Sequence, residues 1–555
     1  MSRPTRYTEE MTAEYFKKGY WESTTWPEIW ARNAEKWPDR EALVDSKTRL
    51  TWAQANQLID RLALKLLEMG FKKDEVLVLQ LPNCIELCLL RLACEKAGIL
   101  CLPVLRTLRQ KEMEYILRYV DAAGWVIPWK WSDFDYFEMA QELRPRLPRL
   151  RHIFVTGEEV PSVAISVAGM LREPTGKKYA PGYLNGLGYK STEVSWISHT
   201  TGTTGFPKFV EIPACARVAL CKGFIQPWKL TSDDVIGAFS PATGGPNIIV
   251  YWGAALVGAR VVLMERFEAE AALQTIEKEK VTVLGVVPTM FIMMMTHPRR
   301  KDFDLSSVRL WACPAGTPPE KLAREVEDET SGKVIQYYGA VDWGGIILSP
   351  LEASREERWL TTGKPIPHHE VKLVDNSGKE VGRGEVGELW ARGPAGIAGY
   401  YKNPEATWEV WSREGWFKTG DLARIDGRGN VVIAGRKKDM IKRGGQNIYP
   451  VEIEDILIGH PKVAGVAIVG MPDPLMGERA CAFVVPKAGQ SFLFEEMVSF
   501  LKDKKVAAFK LPERLELADR LPTVAEGQKV DKKVLQQEIA KKLKAEGKIQ
   551  WGLYT

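Results

Sequence analysis

A run of small and hydroxyl residues that ends in a lysine is the stretch best suited to bind an anion. It comprises His199, Thr200, Thr201, Gly202, Thr203, Thr204, Gly205, Phe206, Pro207 and Lys208. Glycines let the backbone turn sharply and expose N–H groups, and threonine hydroxyls add further donors. The spacing differs from a Walker A loop, which has four residues between its glycines and then Gly-Lys-Ser/Thr. A polar surface loop is the alternative. The strand-like Trp196-Ile197 before the run favours a phosphate-binding loop.

Length and charge limit the class of protein. A chain of 555 residues is too long for one ordinary core, so more than one domain is expected. A hydrophobic content of 45% with 26% charged residues is typical of a soluble globular protein. The net charge of +5 is small beside 76 basic and 71 acidic side chains, and it gives no support for nucleic-acid binding.

The cysteines and the hydropathy pattern indicate the cellular compartment in which the protein is expected. The 8 cysteines include no Cys-x-x-Cys pair, which favours reduced, mostly buried thiols in a cytoplasmic protein. The first residues lack the apolar core of a signal peptide. The uncharged span 235–259 is interrupted by prolines and glycines, so we expect a strand, a loop and a helix there and no integral membrane segment.

Apolar runs alternate with helical patterns over most of the chain. Residues 75–83 predict a strand buried on both faces, 84–96 a helix and 99–104 a second strand. The same alternation returns at 261–288, and it indicates parallel α/β sheets. Short strands with glycine-rich turns replace the helices at about 360–435. Beyond residue 438, strands and amphipathic helices alternate again as a compact α+β segment.

The order of these motifs resembles the adenylate-forming enzymes, which include acyl-CoA synthetases, aryl acid–AMP ligases, peptide-synthetase adenylation domains and luciferases. The phosphate-loop run, the phrases Gly19-Tyr20-Trp21 and Pro38–Leu43, and segments 313–319, 334–344, 418–421, 436–439 and 521–533 carry the resemblance. It implies an α/β fold with a large N-terminal domain, 1–437, of two doubly wound sheets and a small β-barrel at about 360–435. It also implies a mobile α+β C-terminal domain, 438–555.

The resemblance assigns a nucleotide site. The phosphates would meet Thr200, Thr201, Gly202, Thr203, Thr204, Gly205 and Lys208. Adenine would lie between the backbone at Gly316 and the ring of Tyr338, beside Gly339. In the family, Asp421 and Arg436 stand where the ribose hydroxyls bind, and Asp342 stands where a glutamate usually holds Mg²⁺.

The resemblance also assigns a catalytic lysine and a hinge. Lys529 would bridge the substrate carboxylate and the α-phosphate, and with Thr200 and Asp342 it completes the catalytic set. Gln528 is one residue more than the family motif has between glycine and lysine, which leaves Lys532 as a competitor. Lys438 occupies the hinge position, and Gly444 and Gly445 would line the pantetheine channel of coenzyme A.

Departures from the family pattern affect the acid pocket. Val341-Asp342 replaces the usual Thr-Glu pair, and the histidine expected within 239–245 is absent. No asparagine matches the one that contacts the ring hydroxyl in dihydroxybenzoate enzymes, which argues against a catechol-type acid. A compact apolar ring acid fits the residues assigned to the pocket, namely Phe239, Ala242, Gly316, Trp343 and Gly344.

These residues lead to a functional prediction with two rivals. The chain is predicted to be an AMP-forming carboxylic acid–CoA ligase that uses ATP, Mg²⁺ and coenzyme A on an aryl or alicyclic acid. The reaction would be reversible, and a homodimer is left open. One rival is an acid–AMP ligase that loads a carrier protein. The other is a non-catalytic nucleotide-binding regulator, motivated by Val341-Asp342 and Gln528.

Overall fold

The structure is a computed structural model that describes residues 3–173, 179–180, 182–200, 207–241, 252–314, 319–444, 446–524 and 529–547, without the side chains of Val524 and Lys529. Some predicted site residues therefore lie outside the described ranges. These are Thr201, Gly202, Thr203, Thr204, Gly205, Ala242, Gly316 and Gly445.

Helices occur along the whole described chain. They are α1 Glu9–Lys17, α2 Trp26–Lys36, α3 Trp52–Glu68, α4 Ile85–Ala97, α5 Gln110–Tyr119, α6 Tyr136–Leu143, α7 Val167–Arg172, α8 Ala214–Ile225, α9 Ala254–Val257, α10 Ala269–Glu279, α11 Pro288–Met295, α12 Glu320–Glu329, α13 Arg355–Leu360, α14 Pro404–Val410, α15 Pro450–Leu457, α16 Phe494–Asp503 and α17 Lys532–Ala545.

Strands alternate with these helices. They are β1 Glu41–Val44, β2 Arg49–Thr51, β3 Val76–Leu79, β4 Leu100–Pro103, β5 Ala122–Pro128, β6 Lys130–Trp131, β7 Phe134–Asp135, β8 His152–Thr156, β9 Ile165–Ser166, β10 Val194–His199, β11 Phe209–Pro213, β12 Val235–Ala238, β13 Arg260–Leu263, β14 Val283–Gly285, β15 Leu310–Pro314, β16 Lys333–Gly339, β17 Ile346–Leu348, β18 Lys364–Pro365, β19 Glu370–Val374, β20 Gly387–Arg392, β21 Gly399–Tyr400, β22 Phe417–Ile425, β23 Val431–Arg436, β24 Ile441–Arg443, β25 Gln446–Ile448, β26 Val463–Asp473, β27 Gly477–Pro486, β28 Arg514–Leu517, β29 Thr523–Val524 and β30 Lys529–Val530.

Contacts divide the chain into two compact units. The first comprises 1–359, 363–370 and 391–417, and the second comprises 360–362, 371–390 and 418–555. The second unit therefore includes residues before 438. The domain boundary at 437/438 and the mobility of the C-terminal domain stay predictions.

Two large mixed sheets form the first unit, as the sequence predicts. One is a 9-stranded sheet in the order β18-β17-β16-β15-β14-β12-β13-β1-β2, and the other is an 8-stranded sheet in the order β21-β11-β10-β4-β3-β5-β8-β9. Their central strands pair in parallel. All four residues of β3 are buried, which explains its continuous apolar sequence.

Helix α3 shows how local sequence sets these elements. Thr51 caps its N-terminus: its hydroxyl accepts a hydrogen bond from the Gln54 N–H at 3.3 Å, and the Gln54 side chain accepts one from the Thr51 N–H at 2.9 Å. This reciprocal pair satisfies two backbone groups that the first turn leaves without helical partners. The face of α3 that includes Ile59, Leu62 and Leu66 is buried.

The second unit contains two further sheets. A 4-stranded sheet has the order β19-β20-β22-β23, and a 5-stranded sheet contains β25-β24-β27-β26 with β28 paired to β27. The small β-barrel predicted at about 360–435 is not closed in the described residues, because its strands form this open sheet. Four short strands are too few to enclose a row of side chains. The other strands of that stretch, β18 and β21, join the two large sheets instead.

The cysteines and the span at 235–259 can also be compared with the predictions. All 8 cysteines are free and buried, as predicted. Within the span, β12 and α9 are the strand and helix that the sequence indicates. In the part of the chain that the structure describes, no helix has both the length and the apolar character needed to cross a membrane.

Candidate active site

The hairpin of β10 and β11 carries the predicted phosphate loop. The two strands are antiparallel, and His199 lies opposite Phe209. The Thr200 N–H donates to the Lys208 carbonyl at 2.9 Å, and the Lys208 N–H donates to the Thr200 hydroxyl oxygen at 3.1 Å. These two bonds bring the ends of the loop together, so Thr200 and Lys208 are neighbours although a seven-residue segment, 201–207, separates them in sequence.

The histidine at the end of β10 contributes no positive charge at neutral pH. His199 is 5% exposed, and its burial lowers the pKa of the imidazole. Its Nδ1 lies 3.2 Å from the Thr200 carbonyl oxygen. Because that oxygen can only accept, Nδ1 carries the proton of the neutral ring. The formal charge beside the loop therefore comes from the exposed Lys208.

A tyrosine that the sequence reasoning missed joins Lys208 to Asp342. The Lys208 Nζ lies 4.7 Å from the centroid of the Tyr400 ring. The Tyr400 hydroxyl donates to Asp342 Oδ2 at 2.9 Å. Burial first, and then the neighbouring Asp342, raise the pKa of Tyr400 well above its usual value, so the phenol stays protonated and remains a donor.

Strand pairing positions this tyrosine. β21 pairs with β11, and Tyr400 lies opposite Val210, two residues beyond Lys208. The hydrogen bond to Asp342 spans 58 residues of sequence. The local Gly-Tyr-Tyr sequence does not indicate that Tyr400 contacts Asp342. Only the three-dimensional fold reveals this pair.

The remaining predicted acid-site residues follow the carboxyl ends of neighbouring strands. β12, β14, β15 and β16 are adjacent and parallel, so the loops that leave them share one edge of the 9-stranded sheet. The Ser240 hydroxyl, just after β12, donates to the Gly285 carbonyl at the end of β14, at 3.0 Å. The Asn83 Nδ2 donates to the Ser240 carbonyl at 2.6 Å. In open α/β sheets this edge is where ligands bind.

Side chains after β12 and β16 differ in their exposure. Phe239 is 2% exposed and packs in the core with residues of α10 and α11, while Trp343 is fully buried. Tyr338 is half-buried, and its ring centroid lies 6.3 Å from that of Trp343. Gly339, the last residue of β16, is exposed. Contact of these residues with adenine or with the acid stays a prediction.

Gly344 has a backbone that only glycine adopts easily. Its φ is +86°, and a Cβ atom would lie 2.4 Å from the Ala395 carbonyl oxygen. The Ile397 N–H donates to the Trp343 carbonyl at 3.1 Å, so the segment 395–397 is held directly against this turn. The close approach of two backbones therefore explains the glycine.

The two predicted ribose contacts are direct cross-strand neighbours in the second unit. Asp421 on β22 lies opposite Arg436 on β23, and Arg436 Nε is 3.4 Å from Asp421 Oδ1. The Asp421 N–H donates to the Thr419 hydroxyl oxygen at 3.0 Å, and the Thr419 hydroxyl donates to the Leu389 carbonyl at 2.7 Å. With this pair, the carboxylate can accept hydrogen bonds from a diol while the guanidinium donates to its oxygens.

The hinge and coenzyme A positions lie further along the second unit. Lys438 is in a one-turn 3-10 helix, Lys437–Asp439, and burial together with Arg436 lowers the pKa of its ammonium. Gly444 has φ +54°, and its N–H donates to the Met476 carbonyl at 2.8 Å. No described contact tests their predicted roles.

The two candidate lysines near the C-terminus have different positions. Lys529 is on β30, which forms a short hairpin with β29, and its backbone lies opposite Val524. Lys532 opens α17, and its Nζ forms an ion pair with Glu454 at 2.5 Å. Glu454 also accepts a hydrogen bond from the Ile468 N–H at 2.6 Å. Lys532 therefore has a structural partner in the second unit.

Asp342 has the chemistry of a Mg²⁺ ligand. Carboxylate oxygens are the ligands that Mg²⁺ prefers, and proteins commonly hold this ion with one or two carboxylates and substrate phosphates. Among the described residues, no group of three or more His, Cys, Asp or Glu side chains could form an all-protein metal site. A single carboxylate beside a predicted phosphate loop fits the shared type of site.

Family models match both parts of the chain. Residues 30–401 match the model described as AMP-binding enzyme, and residues 452–528 match the model described as AMP-binding enzyme C-terminal domain. The chain is 31% identical to the 2-hydroxy-7-methoxy-5-methyl-1-naphthoate–CoA ligase of Streptomyces carzinostaticus, over 95% of this chain and 96% of that one. It is 30% identical to the 2,3-dihydroxybenzoate-AMP ligase of Bacillus subtilis (strain 168), over 98% of each.

A solved structure has the same arrangement of elements. The crystal structure of the anthranilate CoA ligase AuaEII in complex with anthranoyl-AMP superposes with a TM-score of 0.84. The alignment has 25% sequence identity and covers 94% of this chain and 98% of that one. The α/β fold class predicted from the sequence is thereby confirmed.

Proposed function

This chain belongs to the AMP-binding enzyme family, and we propose that it joins an aryl or alicyclic carboxylic acid to coenzyme A through an acyl adenylate. Its relatives in the family include CoA ligases and a 2,3-dihydroxybenzoate-AMP ligase. ATP and the acid would give acyl-AMP and diphosphate, and the thiol of coenzyme A would then displace AMP. The reaction is proposed to be reversible.

The observation that carries the proposal is the connected set Lys208, Tyr400 and Asp342 at the ends of the phosphate loop. The ammonium lies just before β11, the phenol lies on β21, and the carboxylate follows β16 and accepts a hydrogen bond from the phenol. Attack of a carboxylate on the α-phosphorus of ATP requires that the negative charges of both reactants be offset. In the proposal Lys208 and the Thr200 hydroxyl meet the β- and γ-phosphates, and Asp342 would hold Mg²⁺. That ion, when bound, would neutralise phosphate charge.

Lys529 is proposed as the residue that offsets the charge shared by the carboxylate and the α-phosphate. The ion pair of Lys532 with Glu454 supports this choice, since moving Lys532 to a substrate would leave Glu454 without that partner. Asp421 and Arg436 are proposed to bind the two ribose hydroxyls.

The acid is proposed to be aryl or alicyclic, partly because of the relatives. Two of them are named for a naphthoate and a dihydroxybenzoate, and the AuaEII structure contains anthranoyl-AMP. A relative named medium-chain fatty-acid–CoA ligase keeps a flexible acid as the alternative. The buried Trp343 and the tight turn at Gly344 would form a firm wall, which suits a planar or compact ring.

Exchange of labelled diphosphate into ATP tests the proposal directly. The purified chain is given Mg²⁺, ATP and a panel of ring and straight-chain acids, with and without coenzyme A. We expect exchange with a ring acid, and formation of its thioester when coenzyme A is added. Exchange without a thioester would support the rival acid–AMP ligase that loads a carrier protein. No exchange with any acid would support the nucleotide-binding regulator.

Separate measurement of adenylate formation and thioester formation distinguishes the roles of Lys529 and Lys532. We expect K529A to slow adenylate formation by about 100-fold or more, because a charge aimed at the developing transition state is lost. The same variant should convert preformed acyl-AMP and coenzyme A to thioester at nearly the wild-type rate. K532A is the matched control, and its adenylation rate should change far less. Equal loss of both half-reactions in K529A would reject this assignment.

A further inference from the structure

An arginine lies in the interior of the first unit, on a helix that is otherwise apolar inside. Arg217 is on α8, where 10 of the 12 residues are buried, and it is 5% exposed. Lys222, the other charged residue of this helix, is exposed and pairs with Glu22. Arginine is seldom fully buried in proteins unless it is paired. The position of Arg217 therefore needs an explanation beyond packing.

The guanidinium of Arg217 is charged and has no acceptor opposite it. Burial lowers its pKa to about 10, so it keeps its proton at neutral pH. In the ranges that the structure describes, it makes no hydrogen bond or ion pair, and its Nε is fully enclosed. The titratable groups that act on it are Cys221 and Tyr7, and burial raises the pKa of both, so neither is an anion at neutral pH. A buried charge without a partner is costly, which indicates that a partner comes from outside the fold.

Three other arginines are buried to a similar degree, and each has an acceptor. Arg358 donates to both carboxylate oxygens of Glu327, at 2.7 and 2.6 Å. Arg6 donates to a backbone carbonyl at 2.6 Å. Arg91 lies 3.7 Å from the Glu95 carboxylate. The arginine of α8 differs from all three, so its lack of a partner is not a general feature of this interior.

The surroundings of Arg217 add positive charge and a second donor. Its Cζ lies 6.0 Å from the centroid of the Trp196 ring on β10, and the Arg91 Cζ lies 5.8 Å from the same ring. The Trp196 Nε1 is enclosed and has no acceptor among the described residues. Burial raises the pKa of Glu95, beside Arg91, to about 7, so this carboxyl is only partly ionised at neutral pH. One such group cannot balance two guanidinium ions.

We propose that Arg217 and the Trp196 indole N–H bind an anionic group of a ligand, a carboxylate or a group of similar charge, between α8 and β10. Two sources share this chemistry. One is a second acidic group on the acid substrate, an assignment that rests on the proposed function. The other is a free small anion, which would fill the site whether or not the chain forms an adenylate.

Strand β10 connects this position with the predicted phosphate loop. Trp196 precedes Thr200 by four residues, which is about 13 Å along an extended strand. A ring acid whose reacting carboxylate lies beside the loop would direct its far end along β10. The planar fork of a guanidinium matches a carboxylate with two parallel hydrogen bonds. The substrate class that follows is an aryl or alicyclic acid with a second acidic group on the far side of the ring.

Paired acids test the substrate as the source. Diphosphate exchange is measured with benzoate and terephthalate, and with naphthalene-2-carboxylate and naphthalene-2,6-dicarboxylate. For the wild-type chain, we expect one diacid to have a higher kcat/KM than its monoacid. R217M should lower the ratio of diacid to monoacid kcat/KM by about 10- to 100-fold, since a hydrogen bond to a charged group is lost. R217K keeps the charge and should restore part of the ratio. A ratio that R217M leaves unchanged would reject the acid as the source.

Melting of the full chain without ATP tests the site apart from catalysis. Sodium acetate, sodium chloride or terephthalate is added to the protein in a low-salt buffer. An anion that binds Arg217 should raise the melting temperature of the wild type by about 2 °C or more relative to R217M. If acetate or chloride does so as well as terephthalate, the occupant is a free anion. R217M should fold, because an apolar side chain commonly replaces a buried charge without loss of stability.

A paired arginine supplies the matched control. R358M removes the partner of the buried Glu327, so its melting temperature should fall equally at every anion concentration. The proposal is overturned if no anion separates the wild type from R217M, or if R217M loses stability in the same anion-independent way as R358M. Absence of exchange with every acid would instead reject the proposed function, and the melting experiment would still decide whether Arg217 binds an anion.

Discussion

At the scale of single residues, Tyr400 links the charges beside the phosphate loop. Its ring lies under the Lys208 ammonium, and its hydroxyl donates to Asp342. A hydroxyl bonded to one carboxylate oxygen fixes the orientation of that carboxylate. If Asp342 holds Mg²⁺, Tyr400 acts through it as a positioning residue and does not touch the reacting atoms.

Y400F should weaken the use of Mg²⁺ and leave the fold intact. Loss of the hydroxyl removes the partner of Asp342 while the ring remains under Lys208, so we expect a 10- to 100-fold lower apparent Mg²⁺ affinity or adenylation rate, the usual range for partners of metal ligands. Diphosphate exchange measured over a Mg²⁺ titration provides the readout.

The neighbouring tyrosine supplies the control for this variant. Tyr401 is 2% exposed and packs in the core of the 8-stranded sheet, and Y401F should leave the Mg²⁺ dependence unchanged. A Y400F enzyme with a wild-type Mg²⁺ titration would show that Tyr400 serves packing alone.

Glu211 is a second residue whose environment leads to a prediction. It is 3% exposed on β11, where its two oxygens accept from the Thr5 N–H at 2.9 Å and from the Thr5 hydroxyl at 2.8 Å. Burial raises the pKa of this carboxyl to about 7 from its ordinary 4.5. The folded chain therefore holds a proton between these pH values that the unfolded chain has released.

The contribution of Glu211 to stability should fall as pH rises from about 4.5 to about 7 and stay constant above that. The raised pKa is worth about 2 kcal/mol between pH 5 and pH 8, so E211Q should flatten the pH dependence of the free energy of unfolding by about this amount. Urea unfolding at both pH values measures it. The exposed Glu405 gives the control E405Q, which should keep the wild-type slope. An E211Q slope equal to that of wild type would contradict the assignment.

At the scale of elements, the β22–β23 hairpin sets the ribose pair. Antiparallel register places Asp421 directly opposite Arg436, and the turn at 426–430 closes the other end of the hairpin. In that turn, the Asp426 carboxylate accepts from the Arg428 N–H at 2.9 Å and from the Asn430 N–H at 2.8 Å. One hairpin thus carries a carboxylate proposed for the ligand and another that builds the turn.

D421N should raise the KM for ATP by about tenfold or more, since a hydrogen bond to a charged group contributes about 1.5–3 kcal/mol. The melting temperature should change little, because the amide keeps the shape of the carboxylate. D426N is the matched control: it should lower the melting temperature through the turn and leave the KM for ATP near the wild-type value. The reverse pattern would reject the ribose assignment.

Sequence reasoning located elements better than it located partners. β3 and α4 could be placed within a few residues, because a continuous apolar run and a helical period are local signals. Thr200 and Lys208 could be assigned together because both belong to one loop. Tyr400 could not be connected with Asp342, since their contact depends on the pairing of β21 with β11. The closed β-barrel predicted at about 360–435 was not found in the described residues, because a turn-rich sequence does not show which sheet a short strand will join.

At the scale of the whole molecule, the two proposed half-reactions require different forms of the active site. Adenylation requires a closed, charged site, and thioester formation requires entry of a thiol. Lys438 lies within the second unit between the 4-stranded and 5-stranded sheets. In the same unit, β23 before this residue packs against α15 after it, so a swing about Lys438 would separate these two elements.

K438P should therefore separate the half-reactions in the opposite sense to K529A. Proline fixes φ near −65° and removes the rotation that a swing at this residue needs. Lys438 already lies in a 3-10 turn, where such a φ is ordinary, so adenylate formation should stay within about twofold of the K438A control. Thioester formation from preformed acyl-AMP should fall by about tenfold or more if the hinge assignment holds. If K438P and K438A make thioester equally fast, the chain turns elsewhere, and Lys438 is only a charge beside Arg436.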